Sequence, residues 1–398
     1  MGNYLNKCKK LFTLLFPTIL LITLVQNYHD IVAIMSGADL NLTSHDGPIV
    51  LKVLKDFLFL FLLFSGLWLG VKKKLMPLPV VALFVVLVVY ILFSISAYQN
   101  DLMTGLIGLR WALPFIVFLA MRDIARLIDP KAAVSWLLLG MALCFLVQIY
   151  QLFFMPPVYG EIFMGLAART PGIFLVPNST AFFACSACAC ILGFGNDKKI
   201  HFIAVLLAII ICLLAQSGTG IIVSSALLVL VITGGFNSSF VIICCVCVLF
   251  IFTNLNAITM RDDFVAISGG TRVEVFLRIL ANEFADVDNF GVFTNTSMLN
   301  QGVFAVDFVP DSLWASWFGN LGLLSIPLLF LLGFYVVFHM NRVNWSRAFP
   351  CVLTFFGFSM TTIVFEAFPM NLYLSLGIWQ VQFSYGQSNI VPVSPKQY

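Results

Sequence analysis

The chain has 398 residues, of which 61% are hydrophobic and 10% are charged, and its formal net charge is +3. With a mean hydropathy of +1.02, this composition is typical of a polytopic membrane protein and excludes a separate soluble domain. The lipid bilayer is therefore an expected partner and nucleic acid is not, and the placement of Lys and Arg carries more information than their sum.

Apolar stretches long enough to cross a bilayer as helices recur along the whole sequence. We expect an all-α, polytopic integral membrane protein with about twelve transmembrane helices, organised as one transmembrane domain over 1–398, because a span needs about 20 apolar residues. The predicted spans are 11–28, 50–71, 76–98, 103–121, 132–155, 173–195, 200–216, 219–234, 240–256, 312–338, 348–366 and 372–384.

The basic residues assign a side of the membrane to each predicted loop. With both termini cytoplasmic, the inside segments collect Lys7, Lys9, Lys10, Lys72, Lys73, Lys74, Arg122, Arg126, Lys131, Lys198, Lys199, Arg342, Arg347 and Lys396. The outside segments keep Lys52, Lys55, Arg110, Arg169, Arg261, Arg272 and Arg278. The inside group is twice as large, as the positive-inside rule requires. The first span lacks a small-residue cleavage site, so we expect it to be an uncleaved anchor.

Two arginines stand out before the middle of the chain. Arg110 lies within or at the outer end of a predicted span, where a charge is costly and indicates function unless the side chain snorkels to the interface. Arg169 precedes a Pro171-Gly172 turn that would direct it across the outer mouth of the helices, although a plain loop cation is the alternative. A guanidinium suits phosphate oxygens, so these residues suggest an anionic ligand.

Residues 257–310 break the apolar pattern with one long polar segment, which the topology puts outside. Within it, Thr271–Glu274 has the spacing of a capping box. Apolar and polar positions then recur on separate faces at helical spacing, which predicts an amphipathic helix lying on the outer membrane surface or against the helix bundle. The helix would present Arg272, Glu274 and Arg278, of which the last two are also spaced for a simple i,i+4 ion pair.

The next span opens with a carboxylate. Asp311 follows Pro310 directly and would begin a helix as its N-cap or a first-turn residue, so capping is the alternative to a chemical role. Asp286 and Asp288 have the short acid spacing of some metal sites, but such pairs recur by chance. No nucleotide-binding or zinc-protease motif occurs, and we expect neither a metal nor a cofactor.

The cysteines point to packing rather than chemistry. The chain has 10 Cys, and none of them falls in a predicted external loop. Disulfides are therefore not expected, and the Cys-rich stretches at 185–190 and 244–247 are interpreted as small apolar packing residues.

Short motifs between about 160 and 330 resemble the O-antigen polymerase and ligase superfamily. They are Arg169-Thr170-Pro171-Gly172-Ile173-Phe174 with Pro177-Asn178, then Thr271-Arg272-Val273-Glu274 with Gly291, and finally Asp311-Ser312 with Gly322. In the family these positions enter a transmembrane helix, open the large periplasmic loop helix and return the loop to the membrane.

The sequence departs from the family pattern in two places. Ser217-Gly218 stands where the family often has Ser-Arg, so Arg110 or Arg278 would have to take the place of that phosphate-binding residue. The His typical of the ligases is Asp311 here, which favours a Wzy-type polymerase.

The resemblance implies metal-independent, inverting glycosyl transfer between undecaprenyl-pyrophosphate-linked oligosaccharides at the periplasmic face of the bacterial inner membrane. Asp311 would be the base, with Glu274 in reserve. The pyrophosphate-binding residues would be Arg169, Arg272, Arg278 and Arg110. A ligase of the same fold and a lipid-linked oligosaccharide flippase are the alternatives, and a chain-length regulator is a possible protein partner.

Overall fold

The computed structural model describes residues 11–36, 49–72, 78–98, 102–154, 169–254 except 175 and 196, 273–274, 277, 312–321, 325–338 and 342–381 except 366. Within these ranges the secondary structure is helical, with turns and no strand, which confirms the all-α fold class.

The helices with defined bounds are numbered α1 to α13 in chain order. They are α1 Leu15–Met35, α2 Ile49–Lys72, α3 Leu78–Tyr98, α4 Leu102–Ala125, α5 Pro130–Phe154, α6 Pro177–Phe194, α7 Lys198–Leu214, α8 Gly218–Thr233, α9 Ser238–Thr253, α10 Leu313–Leu321, α11 Ser325–Phe338, α12 Arg342–Ser359 and α13 Met370–Val381.

Each predicted span overlaps a helix, and two helices, α10 and α11, lie within the predicted span 312–338. Among the described residues, four helical stretches are long and apolar enough to cross a membrane: Leu11–His29, Val53–Gly70, Pro130–Phe154 and Pro177–Phe194. The chain therefore has the helices of a membrane protein, while the count of twelve spans stays a prediction. The span predicted from residue 173 begins later, at Pro177, because residues 169–174 form a loop.

Helix α6 lies at the centre of the bundle and packs against α5, α7, α8, α12 and α13. Its sequence explains the position. Between Ala181 and Cys190 it carries small Ala, Ser and Cys side chains behind two Phe rings, and every one of these residues is buried. Small side chains let neighbouring backbones approach closely, which is how helices pack when lipid competes for the apolar surface. The expected packing role of Cys185, Cys188 and Cys190 is confirmed, since all three are buried free thiols.

Two glycines show how tight this packing is. A Cβ added to Gly220 of α8 would lie 2.6 Å from the Cβ of Ala181. A Cβ on Gly377 of α13 would lie 2.4 Å from the Sγ of Cys351. Both distances are below contact range, so α8 and α13 reach α6 and α12 because these positions lack a side chain.

Helix α4 forms a second neighbourhood with α2 and α3, and it joins the central group through α13. The carbonyl oxygen of Phe118 on α4 accepts hydrogen bonds from Nε1 of Trp379 at 2.6 Å and from Oγ of Ser375 at 3.3 Å. Trp379 is fully buried. Since a buried indole N–H needs a partner, this bond fixes α13 against α4.

The bundle has two chemically different ends. One end, called here the Arg169 end, carries the 169–174 loop, the starts of α6 and α8, and the 360–369 connection. The opposite end carries the basic residues Arg122, Lys198 and Lys199 at the end of α4 and the start of α7. Asp123 lies among the basic side chains there, 3.5 Å from Arg122 and 3.9 Å from Arg126.

Candidate functional site

Arg169 is buried against the end of α7 although it belongs to a loop. Its side chain is 8% exposed, and its Nε donates to the carbonyl oxygen of Ala215 at 3.2 Å. The next residue, Thr170, donates to the carbonyl oxygen of Leu214 with its backbone N–H at 3.2 Å and its hydroxyl at 3.0 Å. Carbonyls at the end of a helix have no partner within it, so α7 offers them to this loop and fixes Arg169 in place.

The turn behind Arg169 is held by two glutamines of α5. Gln151 accepts from the N–H of Gly172 at 2.7 Å and donates to its carbonyl at 2.9 Å. Gln148 donates to the carbonyls of Thr170 at 3.0 Å and Ile211 at 3.2 Å. Both glutamines are fully buried. Sequence reasoning missed them, although two amides one turn apart in an apolar helix were a usable signal.

Gly172 is required at the turn itself. Its φ is +62°, in the left-handed region that glycine adopts without strain. A Cβ there would lie 2.8 Å from the Sγ of Cys144. The Pro171-Gly172 turn predicted from the sequence is therefore confirmed, and it is more tightly enclosed than an ordinary surface turn.

Three chain segments meet at the start of α6. Asn178 donates through Nδ2 to the carbonyl of Thr361 at 3.1 Å and to the hydroxyl of Thr362 at 2.9 Å. Its Oδ1 accepts from the hydroxyl of Ser217 at 3.0 Å. Ser217 is the N-cap of α8 and accepts from the N–H of Gly220 at 3.3 Å. The starts of α6 and α8 are thereby joined, with the 361–362 segment held against them.

This meeting point favours a negatively charged ligand. A helix N-terminus carries about half a positive charge and unpaired N–H groups, and here two such ends are joined through Asn178 and Ser217. Arg169 adds a guanidinium. It is held by the carbonyl of Ala215, which directly precedes Gln216 and Ser217 in the chain. Phosphate groups bind at helix N-termini for this reason.

Gln216, between Arg169's anchor and the α8 cap, is in an unusual state. It has a positive φ of 47° and is 8% exposed. Its buried Oε1 has no hydrogen-bond partner among the described residues, and neither has the buried Oγ1 of Thr361. Strained backbone and unpartnered polar atoms are uncommon in proteins and concentrate where ligands bind. Neither residue was singled out from the sequence.

The helix expected to begin at Asp311 is capped by the following residue instead. Oγ of Ser312 accepts from the N–H of Ala315 at 3.1 Å at the start of α10. The expectation that Asp311 is the N-cap or a first-turn residue is therefore corrected, since Ser312 takes the N-cap position; Asp311 itself lies outside the described residues. Nε1 of Trp314 donates to Oγ of Ser359 at 3.1 Å, which holds the start of α10 beside the end of α12, just before Thr361.

The predicted loop helix is described at a few positions. Val273, Glu274 and Leu277 are helical and exposed, with Val273 at 60% and Leu277 at 55%. Arg272 and Arg278 lie outside the described residues, as does most of 257–310.

Arg110 belongs to a different neighbourhood from Arg169. Its Nε lies 2.8 Å from Oδ2 of Asp56, which pairs α4 with α2. Arg169 contacts the end of α7, which packs against α5, α6 and α8. The two arginines are therefore held by different sets of helices.

No protein-family model matches the chain, and neither a curated protein nor a solved structure matches it.

Proposed function

We propose that this chain is a Wzy-type O-antigen polymerase, a glycosyltransferase that joins polysaccharide repeat units carried on undecaprenyl pyrophosphate. The observation that supports this most is the position of Arg169 beside the joined starts of α6 and α8. A fixed guanidinium and two helix N-termini together form a region of positive potential suited to pyrophosphate.

The proposed orientation puts the Arg169 end at the periplasmic face of the bacterial inner membrane, with both termini in the cytoplasm. The basic residues Arg122, Lys198 and Lys199 at the opposite end support it. Cytoplasmic loops carry the excess of Lys and Arg in membrane proteins. The donor and acceptor glycans would accordingly be used on the periplasmic side.

The proposed reaction is one displacement at the anomeric carbon of the donor. A hydroxyl oxygen of the acceptor sugar forms the new glycosidic bond as the bond from the anomeric carbon to the pyrophosphate oxygen breaks. Undecaprenyl pyrophosphate leaves with the electron pair, and the hydroxyl proton passes to a carboxylate. The anomeric configuration is inverted, and the chemistry is completed without a metal.

Arginines stabilise the negative charge that develops on the leaving group. Stabilising such charge is usually the largest single contribution to catalysis. Arg169 has this role in the proposal, helped by Arg272 and Arg278 from the predicted periplasmic helix, with Arg110 at a separate position. Asp311 is the proposed base and Glu274 the reserve. The contact between Trp314 and Ser359 supports Asp311, because it holds the start of α10 near Thr361, whose carbonyl accepts a hydrogen bond from Asn178.

Deleting the gene and separating the lipopolysaccharide on a gel tests the proposed function. Loss of a polymerase leaves core bearing a single repeat unit, whereas loss of a ligase or a flippase leaves bare core. The Asp56–Arg110 pair within two predicted spans is the observation that favours a flippase, since transporters carry charge inside the membrane. Bare core in the deletion strain would overturn the polymerase assignment.

Asp311→Asn tests the base, because the amide is nearly isosteric and cannot take a proton. We expect polymer synthesis by the purified protein to fall by about 10²- to 10⁴-fold, the usual contribution of a general base. Asp197→Asn is the matched control, since Asp197 caps α7 at the opposite end and Asn caps equally well. Normal polymer from Asp311→Asn together with its loss from Glu274→Gln would transfer the role to Glu274.

A further inference from the structure

The ion pair between Arg110 and Asp56 lies inside two apolar helices rather than at their ends. Nε of Arg110 is 2.8 Å from Oδ2 of Asp56, and the two side chains are 46% and 20% exposed. Asp56 belongs to Val53–Gly70, one of the stretches that are apolar enough to cross a membrane. Charged groups in such places are costly and commonly mark a ligand or ion site.

The pair stands at one end of an apolar groove of about 480 Å³ between α2, α3 and α4. Leu60, Phe64 and Leu67 line it from α2, Phe84 from α3, and Leu113 and Ile116 from α4. Apart from Asp56 and Arg110, the described lining residues are all apolar. Phe64 is 65% exposed and Phe84 is 41% exposed, so the groove is open to the outside of the bundle, where lipid would lie.

The groove is long and polar at one end. Asp56 and Leu67 are separated by about 16 Å along α2 at 1.5 Å per residue. This is roughly half of the 30 Å hydrocarbon layer of a bilayer. A single hydrocarbon chain with an anionic head has the matching shape, whereas a phospholipid has two chains to place.

The charged end of the groove faces the end of the bundle that carries Arg169. The ring of Phe115, which follows Arg110 on α4, has its centroid 4.7 Å from that of Trp317 in the middle of α10 and 5.1 Å from that of Phe365, which lies between α12 and α13. Helix α4 thus begins at the Arg169 end and finishes at Arg122 on the opposite end. A lipid head at Arg110 would point toward the proposed transfer site.

We propose that this groove binds the single isoprenoid chain of a polyprenyl phosphate or pyrophosphate, with the phosphate on Arg110, as a second lipid site separate from Arg169. The inference rests on the proposed function, because that reaction consumes two lipid-linked glycans and so needs two lipid positions. Arg169 and Arg110 are held by different helix sets, as two separate positions require.

Asp56 positions the guanidinium in this arrangement. Its carboxylate accepts a hydrogen bond from Nε of Arg110, and the other N–H donors of Arg110 make no hydrogen bond to a described residue. A guanidinium has five N–H donors in a planar fork, so phosphate can bind the outer edge while Asp56 keeps the inner one. The Asp56 carboxylate also limits affinity by repulsion, which favours release.

The test measures retention of undecaprenyl phosphate by the purified full-length protein, using native mass spectrometry. Arg110→Gln should weaken retention about tenfold or more, the value of a lost charge-assisted hydrogen bond. Leu113→Trp, which fills the groove and leaves both charges, should weaken it similarly. Asp56→Asn keeps an acceptor for Nε and removes the repulsion, so retention should rise. Lys131→Arg, at the start of α5 on the opposite end of the bundle, should leave retention unchanged.

Two control ligands separate the chain from the head group. Phosphatidylglycerol supplies a phosphate with two chains, and inorganic pyrophosphate supplies an anion with none; both should compete weakly. Equal retention of undecaprenyl phosphate by wild type and Arg110→Gln would overturn the proposal, as would equal competition by phosphatidylglycerol. If Arg110→Gln is unstable, the neutral pair Asp56→Asn/Arg110→Gln keeps an amide-to-amide hydrogen bond and must still lose the lipid.

The result is independent of the transfer reaction because undecaprenyl phosphate carries no sugar. If the groove variants retain the lipid as well as wild type does, and the deletion strain makes core with a single repeat unit, the second lipid site is wrong and the polymerase assignment is kept. Specific lipid retention with bare core would keep the groove and remove the polymerase.

Discussion

Oγ of Ser217 donates to Oδ1 of Asn178 at 3.0 Å, and this bond joins the first turns of α8 and α6. The two residues are separated by 39 positions in the chain. Each supports the other's helix start, because Ser217 also caps α8 and Asn178 also binds the 361–362 segment. The alignment of two helix dipoles at the proposed pyrophosphate site therefore depends on one pair of side chains.

Asn178→Asp tests whether the site binds an anion. The shape is conserved, but a negative charge would stand at two helix N-termini and repel pyrophosphate, so we expect less polymer from Asp than from Asn178→Ala. Helix stability alone predicts the reverse order, because a carboxylate is favourable near a helix N-terminus. The two variants are compared by polymer yield in a deletion strain and by thermal unfolding in detergent.

Arg169→Lys keeps the charge and loses the planar fork. The substitution removes the hydrogen bond from Nε to the carbonyl of Ala215. It also removes the possibility of a bidentate contact with phosphate. We expect polymer synthesis to fall by about tenfold or more, since a charge-assisted hydrogen bond contributes about 1.5–3 kcal/mol. Lys131→Arg, at the start of α5 on the opposite end, is the reciprocal control and should leave synthesis unchanged. Wild-type activity in Arg169→Lys would show that Arg169 acts through charge alone.

Gly172→Ala should destabilise the fold and reduce activity together. The substitution places a Cβ at a φ of +62° and 2.8 Å from the Sγ of Cys144. Left-handed backbone disfavours alanine by about 1–2 kcal/mol, and the contact adds to it. Gly333→Ala on α11 is the matched control, because a Cβ there meets nothing within 4 Å. Thermal unfolding of both variants measures the difference, and equal midpoints would contradict the tight turn.

Gln151→Leu removes the clamp on the turn without changing its volume much. The N–H of Gly172 loses its partner at 2.7 Å. An unpaired buried donor costs about 1–3 kcal/mol, and Arg169 loses part of its support. We expect a lower midpoint of thermal unfolding and less polymer. Leu152→Ala, on the 45% exposed side chain next to it, should affect both measurements less.

Gly220→Ala and Ala181→Gly form a double-mutant cycle across α8 and α6. Gly220→Ala places a new Cβ 2.6 Å from the Cβ of Ala181, and Ala181→Gly removes the Cβ with which it clashes. We expect the double variant to be more stable than Gly220→Ala alone, with a coupling of about 0.5–3 kcal/mol as is usual for residues in contact. Additive effects on thermal unfolding would mean that the helices separate instead of touching.

Local patterns predicted part of the candidate site. Arg169 was singled out because it stands before Pro171-Gly172, and the turn there is as predicted. The start of α10 was predicted within one residue, but Ser312 rather than Asp311 is the cap, since both residue types cap helices and spacing does not separate them.

Contacts between distant segments were beyond a single sequence. The partners of Arg110 and Asn178 are 54 and, at Thr361, 183 positions away. No periodicity or motif specifies which helices become neighbours. The partners of the buried amides Gln148 and Gln151 are likewise backbone groups far along the chain, in the 169–174 loop and, for Ile211, in α7.

The enclosure of α6 has a consequence for how the protein is made. Of the residues in Pro177–Phe194, 89% are buried by protein. The mean hydropathy of this stretch, 1.3, is the lowest of the four described stretches that are long enough to cross a membrane. When α6 leaves the ribosome, α12 and α13, which cover much of it, have not yet been synthesised. Until they arrive, the small side chains of α6 that these two helices cover face lipid, the insertion machinery or a chaperone. Ribosome-bound chains that stop before α12 should therefore be the most vulnerable to membrane quality-control proteases.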